Sequence, residues 1–127
     1  MTPRTVLWSE RVRYAEVDQQ GVVFNSHYLL YCDEAMALFC RELAVPELIT
    51  DVQLVASTLQ WTAPARYGDT VDVEVACARV GRTSMVLTFD IRVGARKCCR
   101  VETTYVNTDL AGTSVPFTSA QRAALDS

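Results

Sequence analysis

Asp18 stands three residues before Gly21, and the chain then runs Gly21-Val22-Val23-Phe24-Asn25-Ser26-His27-Tyr28 into a segment of helical periodicity. A carboxylate partly shielded in a pocket can take a proton from water, or attack an electrophilic carbonyl directly. The first turn of a helix carries unpaired N–H groups and a partial positive charge, so it can hold a developing oxyanion. Gly21 lets the chain fold tightly enough to bring the carboxylate opposite that helix end. The plainer alternative is that Asp18 closes a turn, that Gly21 is an ordinary turn glycine, and that Asn25 or Ser26 caps the helix.

A second group lies in "RVGRTS", where Arg79, Arg82, Thr83 and Ser84 offer cationic and hydroxyl donors between two strands. Arginine suits bidentate contact with phosphate, with a solvated hairpin as the competing reading. His27, the only histidine, lies just inside the helix start and could act as a base near neutral pH. Such a residue is more often a capping or partner-contacting side chain. Glu16, two residues before Asp18 on the same strand face, could raise the Asp18 pKa by like-charge repulsion, though it reads first as an exposed strand residue. The five cysteines, Cys32, Cys40, Cys77, Cys98 and Cys99, show no zinc spacing, and their odd number argues for reduced thiols.

The elements that must position these groups follow from periodicity. "TVLWSERVRYAEV" alternates imperfectly and reads as a first strand. Residues 26–43 read as a helix, with Tyr28, Tyr31, Cys32, Ala35, Phe39 and Leu43 on one stripe and Asp33, Glu34, Ala37 and Arg41 opposite. "AVPEL" ends it at or before Pro46. The remainder is strand-like: "DVQLVASTLQWTAPA", then "YGDTVDVEVACARV", "GRTSMVLTFDIRV" and "GARKCCRVETTYVNT". Turns fall at Tyr67-Gly68-Asp69, Gly81-Arg82 and Gly94-Ala95, and such short connections imply antiparallel pairing. The tail after Gly112 reads as a loop with a short final segment. One strand, one long helix and about four strands have an obvious solution, an α+β fold whose sheet wraps the helix. Its remaining face and edges favour a dimer or tetramer.

A chain of 127 residues, half of them hydrophobic, suits one domain over residues 1–127 with a core that needs no staples. A net charge of -3 argues against a nucleic-acid footprint, though not against a local basic spot for one phosphorylated ligand. The opening residues lack the apolar core of a signal peptide and no stretch has the length to span a bilayer, so a cytoplasmic protein is expected. No ligand cluster implies a metal or bound cofactor.

The opening segment Tyr14, Glu16, Asp18, Gly21-Val22-Val23-Phe24 and Tyr28 resembles that of the hotdog-fold acyl-CoA thioesterases, in particular the 4-hydroxybenzoyl-CoA thioesterase-like family. "ARYGDTVDVEV" and "VGRTSM" resemble the family's later sheet segments, so the likeness runs from about Val6 to Asp109. The resemblance implies an antiparallel sheet of about five strands around one long helix. It implies hydrolysis of an acyl-CoA to a free acid and coenzyme A, with Asp18 as base or nucleophile and the helix N-terminus as oxyanion hole. Asn25 occupies the spot of the family's backbone donor. Gly21, Val22, Tyr28, Arg82, Thr83 and Ser84 are the implied substrate contacts, the last three meeting the nucleotide end of coenzyme A. Asp33 matches an acidic position that touches the acyl group, but its helical phase turns it toward solvent or a partner. Trp61 and Tyr67 read as core or interface aromatics that could also line an acyl pocket. Many relatives carry His where Asn25 stands and Asn where His27 stands, so the polarising group here is an amide side chain or the backbone alone. The competing expectations are a thioesterase acting on chains carried by an acyl carrier protein, docked through Arg79, Arg82, Arg96, Lys97 and Arg100, and a non-catalytic acyl-thioester-binding hotdog protein. A dehydratase of this fold would pair a His with an acid near the helix, and His27 has no such match.

Overall fold

The computed structural model describes residues 4–127. Five strands, β1 (Thr5–Arg11), β2 (Val52–Trp61), β3 (Thr70–Val80), β4 (Ser84–Val93) and β5 (Arg96–Asn107), accompany three helices, α1 (His27–Glu42), α2 (Leu48–Asp51) and α3 (Ser119–Leu125). The strands form one sheet in the order β1-β3-β4-β5-β2, and every neighbouring pair is antiparallel. This is the α+β architecture expected. The single long helix of the sequence reading is a 16-residue helix joined by two short ones.

Alternation dictates the inner face. Val71, Val73 and Val75 of β3 are fully buried while Asp72 and Glu74 between them are not, and Met85, Leu87, Phe89 and Ile91 continue the layer on β4. A slip of one residue would turn every one of these side chains to the other face, so the pattern fixes the register. Onto this layer α1 lays its stripe: Tyr28, Tyr31, Cys32, Ala35, Phe39 and Leu43 are all buried. Full burial of each large member contributes on the order of 2 kcal/mol.

The helix stops in a Schellman arrangement. The Val45 N–H donates to the Cys40 carbonyl at 2.9 Å, the Ala44 N–H donates to that of Arg41 at 3.1 Å, and Ala44 takes the left-handed conformation at φ 61°. Pro46 then prevents resumption.

Two expectations are corrected. The first strand ends at Arg11 instead of running to Val17. The Arg13 N–H is taken by the Glu16 carboxylate at 2.8 Å, and Tyr14–Glu16 curls into a 3-10 turn. Glu16, read as an exposed strand residue, is thereby buried at 2% exposure. The tail runs, as expected, through a loop into a short final segment, the helix α3. Thr118 and Gln121 form a reciprocal capping box at the start of α3, and Arg122 donates to the Gly81 carbonyl, docking α3 on the β3–β4 turn.

Candidate active site

The Asp18 loop is a closed turn. Asp18 Oδ1 accepts the Gln20 N–H at 2.8 Å and that of Val22 at 3.4 Å, while the Asp18 N–H donates to the Val22 carbonyl at 2.9 Å. Gly21 takes φ 76°, and a Cβ built there would meet nothing within 4 Å, so conformation alone demands glycine. The plain turn-closing role of Asp18 is therefore real. It engages Oδ1, whereas Oδ2 makes no hydrogen bond among the described residues. The side chain is exposed and lines an open cavity of about 420 Å³ with Tyr14, Val17, Gln19, Gly21 and Tyr67. Tyr14 and Tyr67 stand edge to face across it, ring centroids 5.9 Å apart.

The loop is anchored on both sides. Val17 bridges Val23 and Val22 bridges Arg66, while the Tyr67 N–H donates to the Gly21 carbonyl at 2.9 Å. Gly21 and Val22 consequently form a wall. Gly21 faces the Asp18 cavity, and Val22 faces a second cavity of about 270 Å³ at the mouth of α1, lined also by Val23, Asn25, Tyr28 and the Trp61-Thr62-Ala63-Pro64 segment.

At that mouth Ser26 occupies the N-cap in helical conformation, and its side chain caps nothing. The His27 N–H is taken by the Phe24 carbonyl at 2.9 Å. Those of Tyr28 and Leu29 make only long bonds, 3.4 Å and 3.2 Å, to the carbonyls of Asn25 and Ser26. The donors of the first turn are thus weakly engaged, and Asn25 is exposed beside them. Tyr28 is buried; its hydroxyl accepts the Ala65 N–H at 3.0 Å and its ring packs edge-on against Trp61. Burial pushes the Tyr28 hydroxyl above its ordinary value, with the Ala65 amide opposing, so it remains a proton-bearing donor. His27 is half-buried against Phe24. Asp33 is exposed on the far side of α1, where burial of its surroundings and the Glu34 charge raise its carboxyl somewhat.

Asp18, Gly21, Val22, Asn25 and Tyr28 are therefore gathered at one end of the molecule, although Asp18 and the helix mouth open on cavities with no lining residue in common. Arg82, Thr83 and Ser84 are not gathered with them. The β3 strand starts at Thr70, opposite Arg11 near the Asp18 loop, and its 11 residues carry the chain about 33 Å before the Gly81–Thr83 turn. That turn is held by the Phe117 N–H on the Arg82 carbonyl and the Asn107 N–H on the Thr83 carbonyl. Of the basic residues suggested for docking a carrier, Arg96 is paired with Asp69 and Arg100 with Asp90, each at 2.8 Å. Among the described residues no three metal-ligating side chains converge, and no helix is long and apolar enough to cross a membrane.

Sequence reasoning left three contributors without a role in the site. Tyr14 lies beside Asp18 because the chain curls where a strand was expected. Thr62 and Pro64 reach the helix mouth because the Thr62 N–H pairs with the Cys98 carbonyl at 2.8 Å, a cross-strand contact that spacing cannot reveal.

A five-stranded antiparallel sheet laid on one 16-residue helix places the chain in the hotdog-fold class. The chain belongs to the Thioesterase superfamily, whose family model matches residues 20–100. It is similar to the acyl-CoA thioesterase YbgC of Helicobacter pylori, 28% identical over 83 residues, a stretch that spans 64% of this chain and 62% of that protein. A gentisyl-coenzyme A thioesterase superimposes with a TM-score of 0.84 at 26% identity, over 96% of this chain and 100% of that one. A 1,4-dihydroxy-2-naphthoyl-CoA thioesterase from Synechocystis shares the fold at a TM-score of 0.85 and 22% identity, over 96% of each chain.

Proposed function

We propose that the protein hydrolyses an acyl-CoA thioester to a carboxylic acid and coenzyme A, with Asp18 as the acid–base or nucleophilic group. The observation that carries this reading is the exposed Asp18 carboxylate, Oδ1 tied to its own turn and Oδ2 open to a cavity of about 420 Å³. Oδ2 takes a proton from water as the oxygen attacks the thioester carbon. Alternatively, Oδ2 attacks that carbon itself and water then cleaves the mixed anhydride. In either route the carbonyl oxygen becomes negative, the C–S bond breaks, and coenzyme A leaves as thiolate to be protonated. The amides at the start of α1, with the Asn25 side chain, are the donors for that oxygen; loss of one such donor typically costs about 3 kcal/mol.

Asp18 opens on a different cavity from its own helix mouth, so a thioester reached from both sides is bound between two protomers. Arg82, Thr83 and Ser84 would then hold coenzyme A phosphates from another protomer's sheet end. Acyl-CoA is favoured over a carrier-bound chain because Arg96 and Arg100 are already neutralised by acidic neighbours.

Thiol release from a panel of acyl-CoAs tests this, with Asp18→Asn alongside. Asparagine keeps the Oδ1 acceptor that closes the turn, so the fold persists while the basic oxygen is lost. The wild type is expected to release thiol, and Asp18→Asn to lower kcat at least about 100-fold. An undiminished rate in that variant would remove Asp18 from the chemistry.

A further inference from the structure

Glu16 is the one charged residue among the described residues that is buried, and the chemistry above does not use it. A carboxylate taken out of water is destabilising unless its lone pairs are answered. Here they are answered four times. Oε1 accepts the Arg13 N–H at 2.8 Å and the Tyr31 hydroxyl at 2.9 Å, and Oε2 accepts Arg13 Nε at 3.0 Å and Nη2 at 2.6 Å. The Glu16 main chain is engaged as well, its carbonyl accepting the Phe24 N–H at 2.9 Å.

The positions of these partners matter more than their number. Glu16 lies two residues before Asp18, and Phe24 lies immediately before Asn25. The bond between them therefore closes the base of the whole Asp18 loop, reinforced by the Val17–Val23 bridge. Tyr31 lies on α1 one turn beyond Tyr28, and the two rings meet edge to face at 6.2 Å. Tyr28 accepts from Ala65, which in turn accepts from Val23. One continuous network thus joins the carboxylate loop, the helix and the wall between the two cavities.

We propose that Glu16 is a positioning residue, which through Tyr31 and Phe24 fixes the placement of the Asp18 loop relative to the first turn of α1. Among the described residues its side-chain partners face it from two elements, Arg13 from its own turn and Tyr31 from α1. Burial pushes the Glu16 carboxyl up, and the bonds from Arg13 and Tyr31 more than offset this, holding it below its ordinary value; the charged form is the one that positions. The kinetic consequence rests on the thioesterase reading; the structural one does not.

The test uses Glu16→Gln, the milder Tyr31→Phe, their double variant, and Leu48→Ala as a remote core control. Amide hydrogen exchange over residues 17–26 is measured together with turnover of the preferred acyl-CoA and the melting temperature. In Glu16→Gln and Tyr31→Phe exchange over 17–26 is expected to rise about tenfold more than in a control of equal melting temperature. The kcat falls by about tenfold or more with KM within about twofold, since small displacements of a reacting group are amplified in rate. The double variant loses no more than Glu16→Gln alone, because both changes cut one network. Exchange over 17–26 no faster than in the Leu48→Ala control would overturn the proposal, whatever the turnover. If exchange responds as stated but the wild type releases no thiol from any acyl-CoA, the positioning role stands and the thioesterase reading falls.

Discussion

One Asp18 oxygen closes its own turn and the proposed chemistry falls to the other, so substitutions can separate the two. Asp18→Ala removes both oxygens and so loses the turn, whereas Asp18→Asn keeps Oδ1 on the Gln20 and Val22 amides. Asp18→Ala is therefore expected to melt about 1 kcal/mol lower than Asp18→Asn while both lose turnover, as paired thermal melts and rates would show. Gly21→Ala meets no steric neighbour, yet its φ of 76° strains any Cβ by about 1–2 kcal/mol. Its melting temperature should fall although nothing touches the added methyl. Glu16 supplies a pH signature. Its folded carboxyl lies below the unfolded value of about 4.3, so its stabilisation is fully present above that value and is lost as pH falls through the folded value. The melting-temperature gap between wild type and Glu16→Gln should be full at pH 6 and close progressively below about pH 4. The cysteines do not complicate these assays. All five are free and buried, and burial pushes Cys40 up to about 12 and Cys77 and Cys99 up to about 11. A disulfide reagent that detects released coenzyme A should leave the native protein unlabelled and titrate it only in denaturant.

Elements whose signals are local were legible in the sequence. The α1 stripe and the Val71-Val73-Val75 alternation need no knowledge of partners, and both are buried as their periods require. The first strand was over-read because Val12, Tyr14 and Glu16 continue its alternation. The Arg13–Glu16 spacing, which pairs a cation and a carboxylate across one turn, was the available counter-signal. Thr118-Ser119-Ala120-Gln121 was likewise a capping box in plain view. Of the site, Asp18, Gly21 and the helix start share one short segment, so their proximity could be read directly. The separation of Arg82 from them depends on the length and register of β3, and the reach of Thr62 on its pairing with Cys98; neither is encoded in spacing. The helix ends permit two quantitative checks. Ala44 holds the left-handed position of the Schellman turn, so Ala44→Gly is expected to stabilise by about 0.5–1 kcal/mol. Thr118→Ala removes the α3 cap and should cost about 1 kcal/mol, both read by chemical denaturation.

At the scale of the whole molecule the decisive feature is an unfinished edge. Among the described residues β2 pairs only with β5, and its other side is open along "VQLVASTLQW", which contains no charge and no proline. Leu54 and Val55 there are 47% and 56% exposed, and apart from the bulge between Leu54 and Ala56 this edge carries none of the charges or prolines that keep monomeric sheets apart. A second copy added antiparallel along β2 would satisfy the open backbone groups of both chains by one two-fold operation. The proposed chemistry points the same way, because Asp18 and the helix mouth of one chain line cavities that share no residue. Self-association and turnover should therefore be linked. Sedimentation should give a dimer or a multiple of it at micromolar concentration. Val55→Lys, which puts like charges face to face across the two-fold, should shift the population toward monomer without lowering the content of secondary structure. Turnover per chain should fall with the dimer fraction and recover on concentrating the variant, because the proposed site draws the carboxylate and the helix start from different chains. A monomeric Val55→Lys variant with full turnover would place both halves of the site within one chain and confine the role of β2 to assembly.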